Sequence, residues 1–131
     1  MNLQSIRIIT ADIKRLVSFY EAITNLTAKW HTDDFAEVTL GLCTLAIGST
    51  KTLAFFGGQI AEPASNKSVI IEFRVDDVDT NYSQIKDIIK DIVQEPTTMP
   101  WGNRSLLFRD PDGNLINFFT PLSQDEVKRF D

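Results

Sequence analysis

The chain has 131 residues, 43% of them hydrophobic, which suits one domain with a sizeable core. With 13 Lys and Arg against 18 Asp and Glu, its formal charge is −5. That excludes a general nucleic-acid binder, which needs a basic surface, and is compatible with neutral or cationic ligands.

The N-terminus has neither the basic start nor the continuous apolar stretch of a signal peptide. No apolar run approaches membrane-spanning length, so a cytoplasmic protein with no membrane partner is expected. Residues 5–10, SIRIIT, read as a strand, and Asp12 stands where it caps the helix that follows. That helix carries apolar residues at 13, 16, 17, 20 and 23, with Phe19 widening the stripe. His31 falls in WHTDD, read as a loop. Three strands are expected next: FAEVTL at 35–40, CTLAIG at 43–48 and TLAFF at 52–56. Cys43 is the single cysteine, so no intrachain disulfide forms, and it reads as a small buried hydrophobe. Residues 57–67, with Gly, Pro, Ser and Asn, read as a link between two halves.

The second half begins with a strand, VIIEFRV at 69–75, and Asp76 or Asp77 caps a helix with apolar positions at 78, 82, 85, 88, 89 and 92. Pro96 and Pro100 bound a loop. SLLFR and LINFF are strands joined by the turn Asp110-Pro111-Asp112-Gly113-Asn114, a hairpin in which Asn117 sits mid-strand among apolar residues. The acidic residues of that turn lack the spacing of a calcium loop and serve the turn. The tail SQDEVKRFD is compatible with a short helix starting near Ser123 or Asp125.

The element order is thus β-α-β-β-β twice, with Asp12 and Asp77 marking equivalent junctions 65 residues apart. The fold class expected is α+β: one domain over 1–131 with modules at about 5–56 and 69–120, curved mixed sheets around a cleft and helices outside. Strand alternation puts Ile6 and Ile8, and Ile71 and Phe73, beneath the helices. Ser5, Arg7, Ile70 and Glu72 then face the cleft with Leu115, Asn117 and Phe119. Arg7 and Glu72 carry opposite charges and read either as a structural ion pair or as ligand-orienting groups, with acid-base work by Glu72 a further reading.

The stretches SIRIITADIKRLVSFYEAI, IIEFRVDDVD and WGNRSLLFRDPDGNLINFFTP resemble the vicinal oxygen chelate superfamily, the glyoxalase/bleomycin resistance/extradiol dioxygenase family. The resemblance spans about residues 5–121 and implies a divalent metal held by His or Glu on cleft-facing strands. The positions it would use here are Ser5, Ile70 and Asn117, the last in LINF where the family pattern has a Glu. None offers imidazole or carboxylate, so no metal, no cofactor and no metal-dependent catalysis are expected.

Metal-free relatives bind small molecules, including antibiotics that they sequester. The reading is accordingly a metal-independent small-molecule binder, with an antibiotic or another aromatic or cationic compound as the ligand the resemblance implies. Trp30, Phe35, Trp101 and Phe119 are candidate walls, and Arg7, His31, Glu72, Arg104 and Asn117 candidate polar contacts. Two alternatives stay open: a lyase or isomerase acting on a small oxygenated substrate with Glu72 as acid or base, and a structural or regulatory domain without catalysis. The resemblance also implies a homodimer.

Overall fold

In the computed structural model, which describes residues 1–131, the chain divides into units Met1–Asn66 and Lys67–Asp131. The first unit runs β1 (Ser5–Thr10), α1 (Ile13–Thr24), β2 (Lys29–Thr32), β3 (Phe35–Leu40), β4 (Cys43–Ser49) and a 3-10 helix (Thr50–Phe56). Its sheet has the order β1-β4-β3-β2, with β1 parallel to β4 and the other pairs antiparallel. A parallel pair needs a crossover, and α1 lies within the connection that makes it. Asp12 caps α1, its carboxylate accepting from the Arg15 N–H, and Asn25 closes it in the left-handed region at φ 57°. Leu16, Val17, Tyr20 and Ile23 form the buried stripe of α1. The matching sheet face follows from register: Ile6 lies opposite Leu45 and Ile8 opposite Ile47, and these continue to Val38 and Ala36. Leu45, Ile47, Val38 and Ala36 are buried, so the core of this unit sits on that face. Ile6, on the outer strand, is 42% exposed.

Three expectations for this unit are corrected. Residues 52–56 belong to the 3-10 helix: Ser49 caps it by accepting from the Lys51 N–H, and Gly57 ends it at φ 93°. An apolar run this short has no period that separates strand from helix, and the flanking Ser and Gly-Gly decide it. His31 lies in strand β2, which pairs with β3 across a bulge between Trp30 and Thr32. Cys43 is exposed, because it opens β4 beside the Gly41 turn instead of sitting mid-strand.

The second unit repeats the order: β5 (Ile70–Arg74), α2 (Val78–Ile85), β6 (Ile92–Thr98), β7 (Asn103–Arg109), β8 (Leu115–Pro121), then α3 (Gln124–Phe130). Its sheet is β5-β8-β7-β6, again with one parallel pair, β5 with β8. The chain is therefore α+β with two four-stranded mixed sheets, each open at its outer strands. Asp77 caps α2 through the N–H groups of Asp79 and Thr80. Ile71, Leu106, Phe108, Ile116 and Phe118 share one sheet face by register and are buried there. Phe118 meets Phe73 at 5.4 Å and Phe108 at 5.2 Å, both edge to face. Burying one such ring is worth about 1.5–3 kcal/mol.

The helical reading that continued to position 92 is corrected: α2 ends at Ile85, and 92–98 is the outer strand β6. Pro96 fits there because an outer strand leaves N–H groups unpaired, and the pairing with β7 is interrupted between Gln94 and Thr97. The turn after β7 forms as read: Asp110 Oδ1 accepts from the N–H groups of Asp112 and Asn114, and its Oδ2 accepts from Asn114 Nδ2 at 2.7 Å. The tail forms α3, capped by Ser123, and its Phe130 ring lies 5.0 Å from Phe119.

Candidate functional site

Asn117 occupies the face of the second sheet turned away from the Ile71–Phe118 core, in register with Glu72 on β5 and Leu107 on β7. Its Nδ2 donates to Glu72 Oε2 at 2.8 Å. The orientation of the amide follows from this bond, since a carboxylate accepts and only the nitrogen side donates. Asn117 Oδ1 is buried and has no hydrogen-bond partner. An unmet buried acceptor costs about 1–3 kcal/mol, which a ligand N–H or O–H reaching it would relieve. Asn103 Oδ1, at the start of β7 on the same face by register, is likewise buried and unmet. Glu72 is exposed beside it. Further along the same strands, Arg74 donates to the Phe130 carbonyl at 2.7 Å and pairs with Asp131 at 2.9 Å, which ties α3 down over Phe119.

The corresponding face of the first sheet carries Arg7, Phe35, Glu37 and His31. Arg7 lies opposite Ala46, which lies opposite Glu37. The guanidinium of Arg7 stands 4.8 Å from the Phe35 ring centre and 5.9 Å from that of Phe56. His31 Nε2 is hydrogen-bonded to Glu37 Oε1, and its ring lies 5.6 Å from Phe35. Phe56 had been read only as the end of a strand. The Gly57-Gly58 that follows it is the signal for a helix end that turns this ring back toward Arg7.

Not every candidate joins these two groups. Arg104 lies opposite Thr120 and Thr98, on the helix-covered face. It grips Asp79 at the start of α2 with two bonds, Nε to Oδ2 at 2.8 Å and Nη2 to Oδ1 at 3.0 Å. That hydrogen bonding holds the Asp79 carboxyl below its usual range and raises Arg104 above its own. An Arg fork committed in this way to a carboxylate of the first helical turn is engaged within the protein and not turned to the Asn117 face. Trp30 lies opposite Ala36, with the side chains of the core-facing set, at an outer strand and 41% exposed. Trp101 is in the turn before β7, where Met99 N bonds the Asn103 carbonyl, and is 58% exposed. Phe119 is on the Asn117 face but is covered by Phe130, so it is packed and not an open wall.

The divalent metal implied by the family resemblance does not fit these residues. The three strand positions hold Ser5, Ile70 and Asn117, and no group of three His, Cys, Asp or Glu stands together. Glu72 is a lone carboxylate with an amide N–H pointed at it, which a cation would have to displace.

The comparisons agree with the architecture. A family model of the Glyoxalase/Bleomycin resistance protein/Dioxygenase superfamily matches residues 2–118, and the chain belongs to that superfamily. The Bacillus subtilis protein YraH is 28% identical over 128 residues, covering 93% of this chain and all of YraH. YwbC of the same organism is 30% identical over 117 residues, covering 86% of this chain and 91% of YwbC. Among solved structures, a glyoxalase/bleomycin resistance protein/dioxygenase family enzyme from Burkholderia phytofirmans is similar in fold, with a TM-score of 0.82, 17% identity, and coverage of 93% of this chain and 100% of that one. No helix of the chain is long and apolar enough to cross a membrane.

Proposed function

We propose that this chain is a metal-independent small-molecule-binding protein of the glyoxalase/bleomycin resistance type. The observation that carries the reading is the Asn117–Glu72 pair: two polar groups in register on the sheet face opposite the Ile71–Phe118 core, hydrogen-bonded to each other, with one buried acceptor unmet. A strand position that serves a metal in the family pattern here holds an amide whose chemistry suits an N–H or O–H of an organic ligand. Elemental mass spectrometry on tag-free protein tests the metal side, paired with thermal-shift titrations of divalent ions and of a panel of aromatic acids and amines. Shifts with organic compounds and none with ions support the reading. One tightly held ion per chain overturns it. A defined lyase or isomerase turnover abolished by Glu72→Gln would replace it with the enzymatic reading.

A further inference from the structure

We propose that Arg7, held against Phe35 and Phe56, is the recognition point for a carboxylate on a ligand with an aromatic or apolar body. The inference rests on the small-molecule reading above and names the ligand class. Within its unit the Arg7 side chain makes no hydrogen bond and no ion pair, although it is exposed and its guanidinium carries five N–H donors. The carboxylate on its own cross-strand row, Glu37, is turned to His31 instead. The cation of Arg7 is therefore left unquenched on the face, while its position is restrained by two rings.

That combination fits oxyanion capture. Ring contact satisfies the face of a guanidinium and leaves its in-plane N–H edge free, and a restrained fork loses less entropy when it closes on a planar carboxylate. A carboxylate takes two parallel N–H bonds from such an edge, whereas an ammonium has no acceptor to offer a group that only donates.

The neighbours on the face are short. Arg7 lies opposite Ala46, and Phe35 lies opposite Gly48. A methyl group at Gly48 would stand 3.0 Å from Thr52 Oγ1, a tight approach, and in ordinary contact with Phe35 Cδ2 at 3.7 Å. Phe56 is 59% exposed, which leaves ring surface for the apolar part of a ligand next to the cation.

The test is a titration of the full, nitrogen-15-labelled chain with benzoate, phenyl phosphate and benzylamine, followed by amide NMR shifts. Benzoate is expected to move the amides of Arg7, Phe35, Ala46 and Phe56. Arg7→Gln should weaken it about tenfold or more, and Arg7→Lys should weaken it as well because the fork is lost while the charge remains. Phe35→Leu should weaken it through loss of the stack, and the dispersion of each variant's spectrum reports its folding. Unchanged benzoate binding in Arg7→Gln overturns the proposal. Phenyl phosphate moving these amides where benzoate does not overturns the assignment to carboxylate. Benzylamine acting at Glu72 and Asn117 with no benzoate effect leaves the small-molecule reading standing and removes the Arg7 site. Silence from all three probes on both sheets counts against both.

Discussion

Asn117 and Glu72 stand directly opposite each other on parallel strands β8 and β5, joined by an amide-to-carboxylate bond of 2.8 Å. The pair should add little to stability. Removing Asn117 deletes one hydrogen bond to an exposed carboxylate but also removes a buried acceptor with no partner. These effects oppose each other, so Asn117→Leu should change unfolding free energy by no more than about 1 kcal/mol in urea melts. Asn117→Glu should behave differently. It sets two carboxylates side by side in register, which should destabilise by on the order of 1 kcal/mol at pH 7 and recover on acidification as one of them takes up a proton. A loss of several kcal/mol in Asn117→Leu would mean that the amide supports the sheet and not a ligand.

The Asp79–Arg104 pair makes a separate prediction about pH. Its hydrogen bonds lower the Asp79 pKa in the folded state. A carboxyl with a lowered folded value contributes its stability in full above the ordinary carboxylate range and loses it as pH falls through the lowered value. Asp79→Asn should therefore be less stable than the parent at pH 7, with the gap closing as pH drops below the usual Asp range. The pair is solvent-exposed, so added salt should narrow the gap at neutral pH as well. Paired thermal melts across pH at low and high salt measure it. A gap that persists unchanged at the acid end would show that Arg104 is held by something other than the Asp79 charge.

The two-fold element order was legible because each helix announces itself locally: Asp12 and Asp77 cap, and apolar residues return at helical spacing behind them. Asn117 and Glu72 were placed on one face by strand parity alone, and register confirms it. Arg104 was a candidate as part of WGNR, a loop-to-strand junction to which no parity could be applied: the segment contains a turn with Gly102 at φ 101°, and the pairing of β7 with β6 and β8 decides which face Arg104 takes. Strands β2 and β6 were missed for a common reason. Both are outer strands with broken register, and an outer strand needs neither a continuous apolar face nor freedom from proline. Phe56 was missed because its role depends on a helix that five apolar-rich residues do not distinguish from a strand.

Cys43 gives a direct chemical check on one corrected assignment. Its thiol is exposed at the start of β4, not buried in the sheet. Native protein should react with a disulfide reagent such as Ellman's at a rate close to that of the urea-unfolded chain, releasing one equivalent of chromophore for the single cysteine. A lag that disappears only on unfolding would restore the buried assignment.

Two glycines with the same kind of backbone but different surroundings separate strain from steric contact. Gly113, at φ 84°, has open space where a side chain would go, while Gly102, at φ 101°, faces Ser123. An alanine at Gly113 meets only the left-handed backbone penalty, so Gly113→Ala should cost about 1–2 kcal/mol. At Gly102 the added carbon would fall 2.7 Å from Ser123 Cβ and closer still to its Oγ, so the segment must move. That segment is the cap of α3, where Ser123 accepts from the Glu126 N–H and both Leu122 and Ser123 bond the Gly102 carbonyl. Gly102→Ala should therefore cost roughly 2–4 kcal/mol, combining backbone strain with loss of the cap. It should also loosen α3 from Phe119, making the C-terminal helix cleavable by protease under conditions that leave the parent and Gly113→Ala intact. Equal destabilisation of the two variants, with α3 protected in both, would show that the close approach to Ser123 is not what requires glycine at 102.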